Sequence, residues 1–126
     1  MNNPSLLIDS VIVIDLFNKN PRARAWIAAV PRQDISISVV TMSEVLVGIS
    51  DDEKPDVMSF LGYYPCFPIV ESTAQIAAQL RRQYRWKLID AYQAALAKEH
   101  GLTLVTRNTK DFNPKAHSFV KIPYSL

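Results

Sequence analysis

The chain has 126 residues, which is enough for one domain with one hydrophobic core and too few for two. Hydrophobic residues make up 48% of it and charged residues 21%, a globular balance that excludes a disordered or fibrous chain. The net charge of +2 argues neither for nor against nucleic-acid binding, and no apolar run is long enough to cross a membrane. We therefore expect a single domain over residues 1–126. Because the N-terminus also lacks a secretion-signal pattern, we expect the protein to be located in the cytoplasm.

Cysteine and glycine usage excludes several kinds of site. Cys66 is the only cysteine, so the chain forms no internal disulfide and no cysteine-based zinc site, and we expect this residue to be a small buried hydrophobe. The three glycines do not form either of the glycine-rich loops that bind nucleotide phosphates. Dinucleotide-binding and P-loop functions are therefore excluded.

The first predicted element is an apolar strand over residues 5–9. The β-branched residues 11–14 would extend this strand if periodicity alone decided. The polar pair Asp9-Ser10 argues instead for a break between the two segments.

The later elements alternate between helix and strand. Helices are predicted over residues 22–30, 41–49, 55–61, 72–84 and 90–100. The helix starts carry cap patterns, namely Asn20 before Pro21 and the capping boxes Thr41-x-x-Glu44 and Ser72-x-x-Gln75. Strands are predicted over residues 35–38, with one polar face, and over 67–70, 102–105 and 119–122. Strands separated by helices favour a mainly parallel sheet covered on both faces, a three-layer α/β/α sandwich.

Four acidic residues lie beside apolar segments rather than in charged runs: Asp9, Glu44, Asp90 and Asp111. Each also has a structural explanation, as an N-cap, a capping-box residue or a turn residue. Because ligands of parallel sheets bind beyond the carboxyl ends of the strands, we expect these acids to converge at one edge. Crowded carboxylates raise one another's pKa unless a cation neutralises them, and oxygen ligands without histidine or cysteine favour magnesium or manganese.

Four segments of the chain resemble, in order, the motifs of PIN domains of the VapC-type toxin branch. They are residues 6–10 (LLIDS), 39–48 (VVTMSEVLVG), 88–91 (LIDA) and 101–112 (GLTLVTRNTKDF). The resemblance covers essentially the whole chain and is most specific over residues 99–112. It also implies that the first strand ends at Asp9 and that a helix follows at once.

The resemblance implies a metal-dependent endoribonuclease that is the toxin of a toxin–antitoxin pair. Asp9 and Asp90 would be the principal ligands of Mg²⁺ or Mn²⁺, while Glu44 and Asp111 would complete the acidic pocket. Ser10 and Asn108 would lie beside these acids. The family also implies a homodimer, with an antitoxin protein that holds the toxin inactive.

Four positions depart from the family pattern. Val11 replaces a common Asn or Ser, Ile89 replaces a frequent Pro, and Tyr92-Gln93 replace a frequent Leu-Ile. Val11 and Gln93 motivate a second hypothesis, a PIN-fold binding module with weak or no catalysis. Metal-dependent cleavage that disappears in Asp9→Asn would discriminate between the two.

The densest basic segment, residues 81–87, directly precedes Asp90. Cations of this segment and of the last acidic loop are candidates for contact with RNA phosphates: Arg81, Arg82, Arg85, Lys87, Arg107 and Lys110. The alternative is a cationic helix end, and for Tyr84 and Trp86 we favour packing over stacking on bases. His100 and His117 have no Ser or Cys partner by motif, which gives a hydrolase triad little support.

Overall fold

Five strands form a sheet at the centre of the protein, in a computed structural model that describes residues 3–126. The strands are β1 (Leu6–Ile8), β2 (Ile35–Ser38), β3 (Cys66–Phe67), β4 (Thr103–Val105) and β5 (Val120–Lys121). Their order across the sheet is β3-β2-β1-β4-β5, and every neighbouring pair is parallel. The first strand of the chain is therefore the central one.

Six helices in this described part of the chain cover the sheet: α1 (Ser10–Phe17), α2 (Pro21–Ala29), α3 (Val39–Val47), α4 (Lys54–Leu61), α5 (Glu71–Tyr84) and α6 (Leu88–His100). The helices pack against the sheet in two hydrophobic clusters. One cluster packs Leu7 and Leu104 of the sheet against α5 and α6, and the other packs Ile8 and Val105 against α1, α3 and α4. Because successive strand residues point to opposite faces, these clusters lie on the two sides of the sheet. The predicted three-layer α/β/α sandwich is confirmed, and no helix in residues 3–126 is long and apolar enough to span a membrane.

The break after the first strand is confirmed. Asp9 is the N-cap of α1, and its side chain accepts a hydrogen bond from the Ser10 N–H, so the β-branched residues that follow are helical. Asn20 caps α2 as predicted by accepting from the N–H groups of Arg22 and Ala23. At the end of α6, Gly101 takes the left-handed conformation (φ 65°) that closes many helices.

The predicted capping boxes are wrong. α3 begins two residues earlier than expected, at Val39, and its cap is Ser38, whose hydroxyl accepts the Thr41 N–H at 3.1 Å. The Thr41 hydroxyl donates to the Ile8 carbonyl instead, at 3.0 Å. In α5 the Val70 N–H donates to the hydroxyl of Thr73, so residues 72 and 75 do not form the cap. At α3 the Thr41 side chain is engaged by a tertiary hydrogen bond, which local patterns do not contain.

The polar face predicted for β2 is buried, as are all four residues of the strand. Ser36 tolerates this burial because its hydroxyl donates to the Leu6 carbonyl at 2.7 Å. Cys66 is exposed rather than buried, because β3 is a two-residue strand at the edge of the sheet.

Strand register brings distant polar residues together at the carboxyl edge of the sheet. Ile8, the last residue of β1, lies opposite Val105, the last residue of β4. Asp9 and Thr106 follow directly, so two residues far apart in the sequence become neighbours at the end of the central strands.

Candidate functional site

Asp9 is buried and held through both of its carboxylate oxygens. Oδ1 accepts the Ser10 N–H at 2.9 Å and the Nε2 of Gln93 at 3.2 Å. Oδ2 accepts the hydroxyl of Thr106 at 2.8 Å. An ionised carboxylate offers about four lone-pair sites, so three donors leave about one of them, on Oδ2, open.

Glu44 lies on α3 and is tied to the start of α1. The Ser10 hydroxyl donates to Glu44 Oε1 at 2.9 Å. Partial burial raises the pKa of Glu44; the Ser10 hydrogen bond opposes this, and the negative charge of Asp9 adds to it. Because Ser38 caps α3, the structural explanation of Glu44 as a capping residue is excluded, and its carboxylate faces the other acids.

Asp90 is the acid most affected by the others. It lies half-buried in the first turn of α6, where Lys87 rather than Asp90 is at the N-cap position. Burial raises the pKa of Asp90 to about 6, and the charges of Asp9, Asp111 and Glu44 contribute in the same direction, while Lys87 opposes them. The four acids predicted from the sequence therefore act on one another electrostatically.

The loop after β4 positions the fourth acid. Asn108 Nδ2 donates to Asp111 Oδ2 at 3.1 Å, and the Asp111 N–H donates back to Asn108 Oδ1 at 3.2 Å. The Asn108 N–H donates to the same Thr106 hydroxyl that holds Asp9. The loop is thus connected to Asp9 through a single threonine.

A cleft of about 670 Å³ opens at this edge of the sheet. It is lined by Glu44, Arg85, Lys87, Ile89, Asp90, Asn108, Lys110 and Asp111. Asp9 and Ser10 are more deeply buried and are absent from this lining. The cleft therefore has acids from three elements and cations at its rim.

The donor chemistry of the cleft fits a hard divalent cation, since carboxylate and amide oxygens are present without cysteine or histidine. Across residues 3–126, no three Asp, Glu, His or Cys side chains converge closely enough to bind one ion together. One or two protein carboxylates would then hold the ion and water would complete its coordination, which is the usual arrangement for Mg²⁺. Burial is the main cause of the raised pKa of Asp90, and the negative charges of Asp9, Asp111 and Glu44, which raise it further, are the charges that such an ion would neutralise.

The six predicted phosphate contacts are divided among three places. Arg85, Lys87 and Lys110 line the acidic cleft. Arg81 and Arg82 line a separate surface depression, together with Arg85.

Arg107 is engaged elsewhere. Its guanidinium makes two hydrogen bonds to Asp15, at 2.6 and 2.9 Å. The Tyr124 hydroxyl also donates to this carboxylate, at 2.8 Å. The charge of Arg107 is therefore matched by a buried acid on α1.

The aromatic residues of the basic segment, Tyr84 and Trp86, pack against other aromatic side chains, as expected from the sequence. Trp86 is only 4% exposed and contacts the ring of Phe112 edge-on. Tyr84 stacks on Trp86 with 4.6 Å between ring centres. Trp86 is thus a core residue whose faces are covered.

Sequence reasoning missed the polar residues that hold Asp9. Thr106, Thr41, Ser38 and Gln93 are all buried and all belong to one hydrogen-bonded network around it. In the sequence, Gln93 stands out only as a departure from the family pattern. The available signal was a large amide among alanines on the buried side of a helix.

An all-parallel α/β sandwich with acids and cations around the carboxyl edge of its sheet has its candidate site where proteins of this architecture bind their ligands. Comparison with known families identifies the family to which the chain belongs. The PIN domain family model matches residues 6–117, so the chain belongs to the PIN domain family. The resemblance seen in the sequence is confirmed.

The chain is similar to proteins named as a toxin and as a ribonuclease, and to a chain of a toxin–antitoxin complex. Toxin FitB of Neisseria gonorrhoeae is 28% identical over 125 residues, covering 85% of this chain and 90% of that protein. Ribonuclease VapC10 of Mycobacterium tuberculosis is 29% identical over 113 residues, covering 85% of each. A toxin–antitoxin complex from Klebsiella pneumoniae contains a chain that is 36% identical, with a TM-score of 0.89 over 97% of this chain and 100% of that one. The VapC-type branch named from the motifs is therefore confirmed by its relatives.

Proposed function

We propose that this protein is a divalent-metal-dependent endoribonuclease and the toxin of a toxin–antitoxin pair, formed by one domain over residues 1–126 and active in the cytoplasm. One observation carries the catalytic part of the proposal. Asp90 is half-buried at the carboxyl edge of the sheet, where burial and, in addition, the charges of three further acids raise its pKa. Carboxylates perturbed in this way in a cleft are typical of functional sites, and a bound cation would relieve their repulsion.

We propose two roles for the four acids. Asp90 lines the cleft and Asp9 lies behind it, and we propose these two as the principal ligands of Mg²⁺ or Mn²⁺. Glu44 and Asp111 would contact the ion through water. Such an ion, when bound, polarises a phosphoryl oxygen and lowers the pKa of water.

The residues of this chain prepare the site in other ways. Ser10 holds Glu44, and Asn108 holds Asp111, so each acid has a fixed orientation before substrate binds. Arg85, Lys87 and Lys110 place positive charge at the rim, where the phosphates on either side of the cleaved bond would lie. The acids alone repel RNA, which makes binding depend on both the rim and the ion.

The substrate and partners are proposed from the relatives. RNA is the substrate class because VapC10 is named a ribonuclease. An antitoxin protein is the proposed partner because the similar Klebsiella pneumoniae chain belongs to a toxin–antitoxin complex. We also propose a homodimer, as the family resemblance implies, which light scattering of the purified protein tests.

The alternative of an inactive binding module rests on Val11 and Gln93. Gln93 donates to Asp9 and leaves all four acids in place, so the structure gives no reason to prefer that alternative.

The test is cleavage of a labelled RNA by purified protein with Mn²⁺ and with chelator. Wild type should cleave only with the ion, and Asp9→Asn should lose cleavage while keeping its fold by circular dichroism. Asp52→Asn, which changes an exposed acid outside the cleft, is the matched control and should cleave like wild type. Cleavage that persists in chelator, or in Asp9→Asn, would overturn the proposal.

A further inference from the structure

Gln93 forms a hydrogen-bonded bridge between the start of α3 and Asp9. It lies three residues after Asp90 on α6 and is 1% exposed. Its Oε1 accepts the Ser38 hydroxyl at 2.7 Å, and its Nε2 donates to Thr41 Oγ1 at 2.7 Å and to Asp9 Oδ1 at 3.2 Å. The amide thereby uses both of its N–H donors.

The direction of each hydrogen bond is determined by its neighbours. The Thr41 hydroxyl gives its proton to the Ile8 carbonyl, so it can only accept from Gln93. The Ser38 hydroxyl accepts the Thr41 N–H and gives its own proton to Gln93 Oε1. A flipped Gln93 amide would place two oxygens against each other at Asp9. The network therefore permits only the orientation that donates to Asp9.

This orientation controls which part of Asp9 is available. Gln93 and the Ser10 N–H occupy Oδ1, while Thr106 occupies one site on Oδ2. The open lone pair of Asp9 is thus on Oδ2, the oxygen held by the residue that also positions the Asn108 loop.

We propose that Gln93 is a positioning residue, which fixes the rotation of the Asp9 carboxylate so that Oδ2 is the oxygen offered to the divalent ion. This inference rests on the proposed function, in which Asp9 binds that ion. It gives the departure from the family pattern at position 93 a role in this chain, since an aliphatic residue there would leave Asp9 Oδ1 with one donor fewer. Hydrogen bonds to metal-binding side chains commonly change metal affinity by about 10–100-fold.

The test measures binding of Mn²⁺ alone, by calorimetry, to four proteins: wild type, Asp9→Asn, Gln93→Met and Gln93→Ile. Methionine matches the length of glutamine without its hydrogen bonds, and isoleucine is the residue often found in the family, so the second variant protects against loss of folding. Ser36→Ala is the matched control, because it removes a buried hydroxyl bond of the sheet to the Leu6 carbonyl rather than to Asp9.

Both Gln93 variants should bind Mn²⁺ at least about tenfold more weakly than wild type, and Ser36→Ala should bind like wild type. With RNA and saturating Mn²⁺, kcat should fall in the Gln93 variants while KM stays unchanged, since the ion site is then filled and the rim cations are intact. Wild-type Mn²⁺ affinity in both Gln93 variants, with weak binding by Asp9→Asn, would overturn the positioning role alone. If wild type does not bind Mn²⁺, or Asp9→Asn binds it equally well, the proposed metal site is wrong and the positioning role is wrong with it.

Discussion

Replacing Asp90 by Asn should stabilise the metal-free protein at neutral pH. The carboxyl has a pKa of about 6 in the folded state against an ordinary value of 3.8. Two pH units correspond to about 3 kcal/mol at about 1.4 kcal/mol per unit. Asp90 is only half-buried, so solvent screens part of this effect. We therefore expect Asp90→Asn to raise the free energy of unfolding by about 1–2 kcal/mol.

The pH dependence follows from the direction of this difference. Between pH 3.8 and about 6 the folded state binds more protons at Asp90 than the unfolded state does. The free energy of unfolding therefore falls as pH rises through this window, and the full destabilisation by ionised Asp90 is present above it. The advantage of Asp90→Asn should be about 1–2 kcal/mol at pH 7.5 and should disappear as pH is lowered towards 3.8.

Urea denaturation with chelator, at pH 7.5, 5.5 and 4, measures this advantage, with Asp52→Asn as the control for removal of a charge elsewhere. At a urea slope of about 2 kcal/mol per molar, the midpoint should rise by about 0.5–1 M at pH 7.5. Saturating Mn²⁺ should reverse the order, because an ion at 100 times its Kd adds about 2.7 kcal/mol to a protein that binds it. An Asp90→Asn protein that is no more stable than wild type in chelator would refute the argument from crowded charge.

Glu44→Gln should cleave RNA poorly with Mn²⁺, yet melt no lower than wild type in chelator, because Ser38 caps α3 and Glu44 repels its neighbours; normal cleavage with a lowered melting temperature would contradict this. Replacing Arg85 and Lys87 by Gln should reduce the slope of log affinity for RNA against log salt by up to about one unit for each phosphate that is no longer neutralised, measured with metal-loaded inactive protein; an unchanged slope would place the RNA elsewhere. Trp86→Ala should cost about 3–5 kcal/mol of unfolding free energy in urea, since the ring is buried, and a smaller cost would mean that the cavity collapses. Asp15→Ala should cost about 3 kcal/mol by the same assay, because it leaves the Arg107 guanidinium without its carboxylate; an unchanged midpoint would show that water replaces the pair.

Local signals were sufficient for most elements of this fold. Asn20 before Pro21 and Gly101 at the end of α6 marked helix ends correctly, because caps act within a few residues. The first strand was ambiguous by periodicity, since β-branched residues 11–14 favour strands. They are helical because Asp9 caps α1 and the helix buries Ile12 and Val13 against the sheet.

The details of the site depended on interactions that no local pattern contains. Thr41 and Ser38 are both common cap residues, but the Thr41 hydroxyl donates to the Ile8 carbonyl, and Ser38 is the cap. The ion pair of Arg107 could not be predicted from the sequence, because its partner, Asp15, is 92 residues earlier in the chain. The role of Gln93 was hidden for the same reason, since Asp9 is 84 positions away.

The central position of β1 determines when the site can form during synthesis. Two of the hydrogen bonds to the Asp9 side chain come from Gln93 and Thr106, and Thr106 is 97 residues later in the chain. A growing chain that has not reached β4 has only one neighbour for β1 and lacks the loop that carries Asn108 and Asp111. Contacts between such distant residues also form slowly, because a long loop must close first. The acidic cleft therefore cannot form before Thr106 and Asp111 have been synthesised, and fragments released earlier from the ribosome would not contain it.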